Sequence, residues 1–410
     1  MDKPEGLRFL VLLKKSFSAG IFLLILISCA APPPKARFPE KGVWVPREKE
    51  SVATLTDDHE RKSLRDAVEN SLAYVEKKNS LGYGNDLFTR EKVRHSLALF
   101  LKILQRNPDP QEFAQRIRED FYLWEPAWEG QGKTVLLTGY FEPILSGSLE
   151  RQGEYCFPIY RRPTDLIEVT PGTLSSGQAA EKRLGRMERG KVVPYFSRRE
   201  IDSQNVLRGK GYELVWLKDP WERFILHVQG SGQVRLSGGK ILRVGFAASN
   251  GRPYRSIGRY LVTQGFLADE ELSLGRVKEF FQKYPQKMEE VFNHNERYIF
   301  FRLISPAGDG QGGPLGALNV PLTAGRSIAT DLSLFPPGAL AYLISRQPVF
   351  DENGKMVGRK KIRRFVLNQD TGAAMKGPAR VDLFCGSGEK AGWVAGGMRE
   401  EAEIYWLLAR

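Results

Sequence analysis

The chain has 410 residues, and because a domain averages roughly 150 residues, we expect two or three domains. A hydrophobic fraction of 41% and a charged fraction of 27% are globular values, which exclude a disordered chain. The formal charge of +13 favours an anionic partner such as nucleic acid, phospholipid or an acidic polymer. The 4 His and 3 Cys have no metal-ligand spacing, so we expect no metal site built on them.

The amino terminus has the pattern of an export signal. Lys14 and Lys15 precede an apolar run over residues 19–27, which is shorter than the ~20 residues of a membrane span. The run ends in Leu26-Ile27-Ser28-Cys29, which resembles the lipobox of bacterial lipoproteins, where the Cys is acylated and becomes the first mature residue. The resemblance implies a signal peptide over 1–28, lipidation at Cys29 and a Pro-rich tether over 29–50. An uncleaved membrane anchor is the alternative.

The residue after this Cys predicts the final location. Ala30, rather than Asp, implies sorting to the outer membrane, with the body of the protein facing the periplasm. Since that compartment holds no nucleic acid, we expect no nucleic-acid partner. Lipid headgroups or the cell wall are then the anionic partners.

Hydrophobic periodicity predicts a mainly β fold with flanking helices. Apolar residues recur at helical spacing over 64–75, 93–104 and 113–121. Alternating β-rich segments predict strands over 134–141, 213–217, 223–229, 233–236, 241–247, 298–304, 326–330, 339–345, 361–368, 380–384 and 404–408. Capped segments predict helices over 256–264, 273–284, 286–293 and 389–401. Regular short strands favour a barrel or a sandwich.

Three acidic residues are the candidates for chemistry. Asp331 and Asp370 each follow a predicted strand, and Asp382 lies inside one. A carboxylate within an apolar strand is costly unless it is bonded or protonated, and such a site suits a general acid. For Asp331 and Asp370 taken singly, capping of a turn is an equal alternative. Asp382 is therefore the leading candidate.

The turn Asp370-Thr371-Gly372-Ala373 also resembles the catalytic turn of aspartic proteases. That chemistry requires two aspartates that share a proton. The sequence has no second Asp-Thr-Gly, so a protease of this kind has to be a dimer.

Six segments, taken in order, resemble the membrane-bound lytic murein transglycosylase A family. They are Thr138-Gly139-Tyr140-Phe141-Glu142-Pro143, His227-Val228-Gln229-Gly230-Ser231-Gly232, Gly251-Arg252-Pro253-Tyr254-Arg255-Ser256-Ile257-Gly258, Gly325-Arg326-Ser327-Ile328-Ala329-Thr330-Asp331, Asp370-Thr371-Gly372-Ala373-Ala374-Met375-Lys376-Gly377 and Val381-Asp382-Leu383-Phe384. The chain departs from the family at Gly372-Ala373-Ala374-Met375, where Gly-Gly-Ala-Ile is usual, and at Cys385.

The resemblance implies a fold and a site. The fold is a double-psi β-barrel catalytic domain built from 51–143 with its N-terminal helices and 305–410. A second β-barrel domain over 144–304 is inserted in it, and the glycan lies in the groove between the two. Asp382 occupies the position of the single catalytic acid, and Asp370 and Asp331 match two further aspartates of the barrel. The substrate-binding residues implied are Thr138, Tyr140, Gln229, Gly230 and Ser231.

The implied activity is cleavage of the β-1,4 bond between N-acetylmuramic acid and N-acetylglucosamine in peptidoglycan without water, which leaves 1,6-anhydromuramic acid ends. The partners implied are peptidoglycan glycan strands and, through the N-terminal lipid, a membrane. We expect a monomer that needs no cofactor and no metal. The alternatives are a non-catalytic, expansin-like murein-binding protein and a dimeric aspartic protease.

Overall fold

The computed structural model describes residues 43–47, 55–77, 86–127, 134–169, 183–304 and 312–410. The predicted signal peptide, Cys29 and most of the predicted tether lie outside these residues. Within these ranges, no helix is both long and apolar enough to cross a membrane.

Three helices introduce the fold, as predicted. They are α1 (Arg61–Val75), α2 (Arg90–Gln105) and α3 (Pro110–Asp120). Asp109 begins α3, since its carboxylate accepts hydrogen bonds from the Gln111 and Glu112 N–H groups at 2.8 and 2.9 Å, and Pro110 supplies the first helical residue. The buried faces of α1 and α2 contribute Val68, Leu97 and Phe100 to the main core.

Strands make up most of the remaining chain. They are β1 (Val43–Arg47), β2 (Phe121–Ala127), β3 (Val135–Glu142), β4 (Ile144–Ser148), β5 (Phe157–Tyr160), β6 (Ile167–Val169), β7 (Arg183–Glu188), β8 (Lys191–Pro194), β9 (Glu213–Leu217), β10 (Ser231–Leu236), β11 (Ile241–Ser249), β12 (Ile299–Ile304), β13 (Ser327–Ala329), β14 (Leu340–Phe350), β15 (Met356–Asp370), β16 (Arg380–Ser387) and β17 (Arg399–Ala409). The later helices are α4 (Pro220–Gln229), α5 (Ile257–Thr263), α6 (Leu274–Lys283), α7 (Met288–His294) and α8 (Glu389–Gly397). The predicted mainly β fold is confirmed.

Six strands close into a barrel. Around it the order is β3, β17, β14, β15, β13 and β16, and the β16–β3 pairing completes the ring. The pairs β13–β15 and β3–β16 are parallel, whereas the others are antiparallel. Leu343, Phe365 and Trp406 are fully buried in the core that the barrel shares with α1 to α3.

A second six-stranded sheet follows the order β12-β11-β10-β4-β9-β5. Its two edges approach each other, since Arg161, next to β5, forms an isolated parallel bridge with Phe301 of β12. A cluster built on α4 to α7 includes Trp221 and Phe292 and also takes in Phe141 of β3 and Ala391 of α8. This shared cluster packs helices α4 to α7 against the barrel.

The predicted strand over 223–229 is wrong, because this segment lies within helix α4. Asp219 accepts a hydrogen bond from the Trp221 N–H at 2.7 Å, and Pro220 is the first helical residue. Gly230, with φ of +79°, ends the helix in the left-handed region. A short apolar run has no clear period of its own, so these flanking residues decide its structure.

The other differences concern the ends of elements. The predicted helix over 389–401 ends at Gly397, and β17 begins at Arg399. The hairpin of β14 and β15 is longer than predicted. Strands β1, β2, β4, β5, β6, β7 and β8 were not predicted.

Candidate active site

Two of the predicted aspartates lie on strands that flank β13. Ala329 pairs with Asp370 of β15 on one side and with Asp382 of β16 on the other. Asp382 pairs in turn with Thr138 of β3. Since directly paired residues project to the same face of a sheet, this register places the two carboxyl groups on one face with only the small Ala329 side chain between them.

Asp370 ends β15 and enters a turn. The N–H groups of Ala317 and Thr371 donate to its Oδ1 at 2.8 and 2.9 Å. Burial raises the pKa of Asp370 to about 6, although these two N–H groups and the nearby Tyr140 hydroxyl act in the opposite direction. The Tyr140 hydroxyl is buried and completes no hydrogen bond of good geometry with any described residue.

Asp382 has fewer partners. Its Oδ1 is buried and accepts no hydrogen bond from the described residues, and the nearest cation, Arg380 Nη2, lies 3.7 Å away. Burial raises the pKa of Asp382 to about 6, Arg380 lowers it, and the negative charge of Asp370 raises it. The side chain keeps 19% of its surface exposed. A carboxyl in this environment is protonated in mildly acidic solution and remains within reach of a ligand.

A buried arginine holds β13 in place. Arg326 is fully buried and makes two hydrogen bonds of 2.7 Å to the carboxylate of Asp57. It also donates to the Phe365 and Glu60 carbonyls. The segment that leads into α1 therefore fixes the start of β13, the strand that separates the two aspartates.

Gln369, the residue before Asp370, is also fixed by buried hydrogen bonds. Gln369 is fully buried, accepts from Ser327 Oγ at 2.5 Å and donates to Ser71 Oγ at 2.9 Å and to the Ala67 carbonyl at 2.8 Å. These bonds tie the end of β15 to β13 and α1. The position of Asp370 is thus set by buried polar contacts on both sides.

A cleft of about 950 Å³ lies beside the aspartates. It is lined by Tyr140, Gln229, Gly230, Ser231 and Asp370, all of which were predicted from the sequence. The predicted Asp382 and Thr138 are not among its lining residues. They lie next to it in the sheet, where Thr138 Oγ1 accepts a hydrogen bond from Arg380 at 3.3 Å.

Gln229 connects the two halves of the structure. Its Oε1 accepts a hydrogen bond from the Phe141 N–H of β3 at 3.0 Å. Gln229 is the last residue of α4, and Gly230 turns the chain so that Ser231 opens β10. This contact fixes the end of α4 against the barrel at the cleft.

Asp331 follows β13 and, unlike the other two aspartates, is not paired with Ala329. It accepts hydrogen bonds from the Ser333 N–H and hydroxyl at 3.1 and 2.6 Å, and from the Gly377 N–H at 2.8 Å. It does not line the cleft. Its geometry is that of a turn-capping carboxylate, which holds the end of the loop after Asp370.

Sequence reasoning gave no role to two aromatic residues of the cleft. Tyr254 lines the cleft; burial raises its pKa, and the charge of Asp382 acts in the same direction. Phe246 on β11 also lines the cleft and is 50% exposed. Tyr254 belongs to one of the segments that carry the family resemblance, whereas no sequence signal marks Phe246. The described residues contain no group of three or more His, Cys, Asp or Glu placed to hold a metal ion.

The chain matches known families and structures over most of its length. Residues 136–302 match the MltA specific insert domain, and residues 326–408 match the 3D domain. Membrane-bound lytic murein transglycosylase A of Escherichia coli is 31% identical over 289 residues, which are 69% of this chain and 68% of that protein.

Solved structures give the same result. A crystal structure of a membrane-bound lytic murein transglycosylase from Agrobacterium tumefaciens has a TM-score of 0.70 and 29% identity, and the match covers 86% of this chain and 94% of that one. A crystal structure of E. coli MltA with bound chitohexaose has a TM-score of 0.60 and 26% identity, over 84% of this chain and 89% of that one.

A closed barrel with two aspartates paired to one residue beside a cleft, together with these similarities, defines a lytic murein transglycosylase. Within that class, the chain belongs to the membrane-bound lytic murein transglycosylase A family. The dimeric protease and the non-catalytic binding protein are not favoured by this membership.

Proposed function

We propose that this chain cleaves the β-1,4 bond between N-acetylmuramic acid and N-acetylglucosamine of peptidoglycan, with Asp382 as both acid and base. The observation that carries the proposal is the buried Oδ1 of Asp382, which accepts no hydrogen bond from the described residues and lies beside Asp370, next to a cleft of about 950 Å³. The bound chitohexaose of the E. coli relative supports a glycan as the ligand of this cleft.

The first step breaks the glycosidic bond. Neutral Asp382 gives its proton to the glycosidic oxygen, the bond from that oxygen to C1 of the muramic acid breaks, and an oxocarbenium-like centre develops at C1. Burial and the charge of Asp370 keep Asp382 protonated to a higher pH than a free carboxyl. Both effects act in the direction that an acid catalyst requires.

The second step closes a ring within the product. The Asp382 carboxylate accepts the proton of the sugar's own 6-hydroxyl while that oxygen bonds to C1, giving a 1,6-anhydromuramic acid end. Asp382 recovers its proton, and no water is consumed. An intramolecular hydroxyl is already in place, so one carboxyl serves in both steps, whereas hydrolases use two.

The other predicted site residues have supporting roles in this proposal. Asp370 keeps the pKa of Asp382 high and, with Tyr140, Gln229, Gly230 and Ser231, forms the cleft that binds glycan. Thr138 holds Arg380 beside Asp382. Asp331 is a positioning residue, because its carboxylate anchors Gly377 at the end of the cleft loop.

The experiment is digestion of purified murein in ¹⁸O-water, followed by mass analysis of the released glycan. We expect products that are lighter by one water than reducing-end products and that carry no ¹⁸O. Asp382→Asn is expected to lower the rate about 10²- to 10⁴-fold, the usual contribution of acid–base catalysis.

The matched control is Asp66→Asn, the same change on the exposed face of α1, where Asp66 is 47% exposed. We expect it to keep the rate within about twofold, as is usual for a surface change far from a site. Incorporation of ¹⁸O would identify a hydrolase. A fully active Asp382→Asn variant would remove Asp382 from the mechanism.

The proposal extends to the architecture. The barrel of six strands, with parallel pairs β13–β15 and β3–β16, is consistent with a double-psi arrangement. The bridge between Arg161 and Phe301 supports a second barrel, which we assign to an inserted domain over 144–304. The glycan would lie in the groove between them, and a crystal structure with bound glycan tests both points.

The protein is further proposed to be a monomer anchored by a lipid on Cys29 in the outer membrane, facing the periplasm. The sequence Leu26-Ile27-Ser28-Cys29-Ala30 and the membrane-bound relatives support the lipid anchor. Cys29→Ala is expected to move the protein from the outer-membrane fraction to the soluble periplasmic fraction. An unchanged distribution would disprove the anchor.

A further inference from the structure

We infer that Arg297, Arg302 and Lys376 form a carboxylate-binding wall, with which the cleft selects a glycan that carries carboxylate groups over an uncharged glycan of the same backbone. This inference rests on the proposed function, since it names the feature of murein that the cleft recognises.

The charges that line the cleft are strongly unequal. Five basic residues line it, and Asp370 is the one acidic residue among the described residues of its lining. The basic residues are Arg243, Arg252, Arg297, Arg302 and Lys376. A cleft lined by charges of one sign concentrates ligands of the opposite sign.

Two of the five cations already have acidic partners. Arg243 lies 2.9 Å from the buried carboxylate of Glu142, and Arg252 lies 3.8 Å from Glu296. The other three have no carboxylate within 4 Å among the residues that the structure describes. These three cations are therefore the ones open to a ligand.

The surroundings of Arg297, Arg302 and Lys376 favour a ligand with negative charge. Arg297 is half-buried, and one of its amino groups donates to the Arg252 carbonyl at 3.3 Å. Arg302 projects from β12 opposite Gly245 of β11, which has no side chain to crowd it. Lys376 is exposed on the loop that begins at Asp370.

Murein offers two kinds of carboxylate to such a wall. A muramic acid without a stem peptide carries a free lactyl carboxylate, and one with a stem peptide carries the carboxylates of that peptide. Chitin-like glycans have neither. The three cations recognise this shared chemistry, and the distinction between the two sources is left to the assay.

The test measures equilibrium binding of glycan strands to the Asp382→Asn protein, in which cleavage is suppressed. Peptide-free and peptide-bearing strands are each compared with the same strands after amidation of their carboxyl groups. We call the Kd for amidated strands divided by the Kd for native strands the amidation ratio, and we expect it to be about 5 to 20 in at least one of the two series. In the Arg302→Gln/Lys376→Gln double variant, this ratio is expected to fall below about 2. Both residues are exposed, so the double variant is expected to fold.

The matched control is Arg235→Gln/Lys240→Gln, which removes two exposed cations of the second sheet region that do not line the cleft. Its amidation ratio is expected to equal that of the unsubstituted protein. If the Arg302→Gln/Lys376→Gln variant loses the preference for native over amidated strands in the peptide-free series, the wall binds the lactyl carboxylate. If it loses this preference in the peptide-bearing series, the wall binds the stem peptide.

Two results would overturn the inference: equal binding of native and amidated strands in both series, or a double variant that still discriminates. Failure of the proposed function is seen separately. It appears as incorporation of ¹⁸O or as full activity of Asp382→Asn, and neither of these depends on the amidation ratio.

Discussion

Asp370 and Asp382 are paired in register with the same residue, Ala329, from opposite sides. Each carboxyl therefore lies within the electrostatic reach of the other, and the negative charge of Asp370 raises the pKa of Asp382. Burial raises the pKa of Asp370 to about 6 as well, so both groups change charge in the same pH range.

The first prediction concerns the alkaline limb of kcat/KM. Burial raises the pKa of Asp382 to about 6, and the acid must be protonated to act, so we expect activity to fall as pH rises through about 6. Asp370→Asn removes the like charge, which lowers the pKa of Asp382 and shifts this limb to lower pH. The pH profile of glycan release measures the shift.

Arg380→Gln is expected to shift the alkaline limb in the direction opposite to Asp370→Asn. Arg380 lowers the pKa of Asp382, so its removal is expected to shift the alkaline limb to higher pH. A shift of both variants in the same direction would contradict the assignment of Asp382 as the titrating acid.

The second prediction concerns Gly139, between Thr138 and Tyr140 of the site. A Cβ at this position would lie 2.8 Å from the Ala395 Cα of α8, which cannot move aside as a flexible side chain can. We expect Gly139→Ala to lower the free energy of unfolding by about 1–3 kcal/mol, the usual cost of overpacking. Gly238→Ala, where a Cβ meets nothing within 4 Å, is the control and is expected to leave the urea midpoint nearly unchanged.

The third prediction concerns Glu142, which is fully buried where the barrel meets the second sheet. It accepts hydrogen bonds from Gln233 and Ser387 at 2.8 and 2.7 Å and pairs with Arg243. Glu142→Gln leaves Arg243 without its counter-charge, so we expect a loss of about 2–4 kcal/mol in the free energy of unfolding. Chemical denaturation measures it.

The control for Glu142 is Glu279→Gln, which breaks an exposed ion pair with Arg276. Its effect is expected to stay below about 1 kcal/mol, because solvent screens exposed pairs. Equal effects of the two variants would show that Glu142 is not an important link between the two sheets.

The fourth prediction concerns Phe246. A half-exposed aromatic ring in a glycan cleft offers an apolar face to a sugar ring, so we expect Phe246→Ala to weaken glycan binding about 3- to 10-fold with little change in stability, whereas Phe246→Trp retains binding. Leu303→Ala removes an equally exposed side chain that does not line the cleft and is expected to leave binding unchanged. Unchanged binding by Phe246→Ala would exclude stacking.

Much of the fold was predictable because its signals are local. Helices α1 to α3 have regular apolar spacing, and α2 and α3 begin at the capping residues Thr89 and Asp109. Most strands of the barrel alternate or are bounded by turns. Helix α4 was missed because the run from Arg223 to Gln229 is short and apolar, although Asp219, Pro220 and Gly230 mark its ends. Strand patterns left a barrel and a sandwich open, and the barrel was expected only from the family resemblance, since its closure depends on pairing between distant strands.

The sequence indicated candidate residues for the site but not their arrangement. Asp370 and Asp382 stand out in the sequence as acids beside or inside apolar strands, but their common neighbour Ala329 follows only from strand register. The basic residues of the cleft come from β11, β12 and three loops. No sequence spacing shows that these segments meet.

The β3–β17 and β3–β16 pairings have a consequence for how the protein folds. Arg380 and Thr138, which are hydrogen-bonded, are 242 residues apart in the chain, and the whole second sheet lies between them. Bringing such distant strands together carries an entropic cost that falls once the intervening segment is compact. The second sheet is therefore expected to form early and the ring of strands to close late, so that Thr138 and Tyr140 of β3 come to lie beside β16 only in the last step of folding.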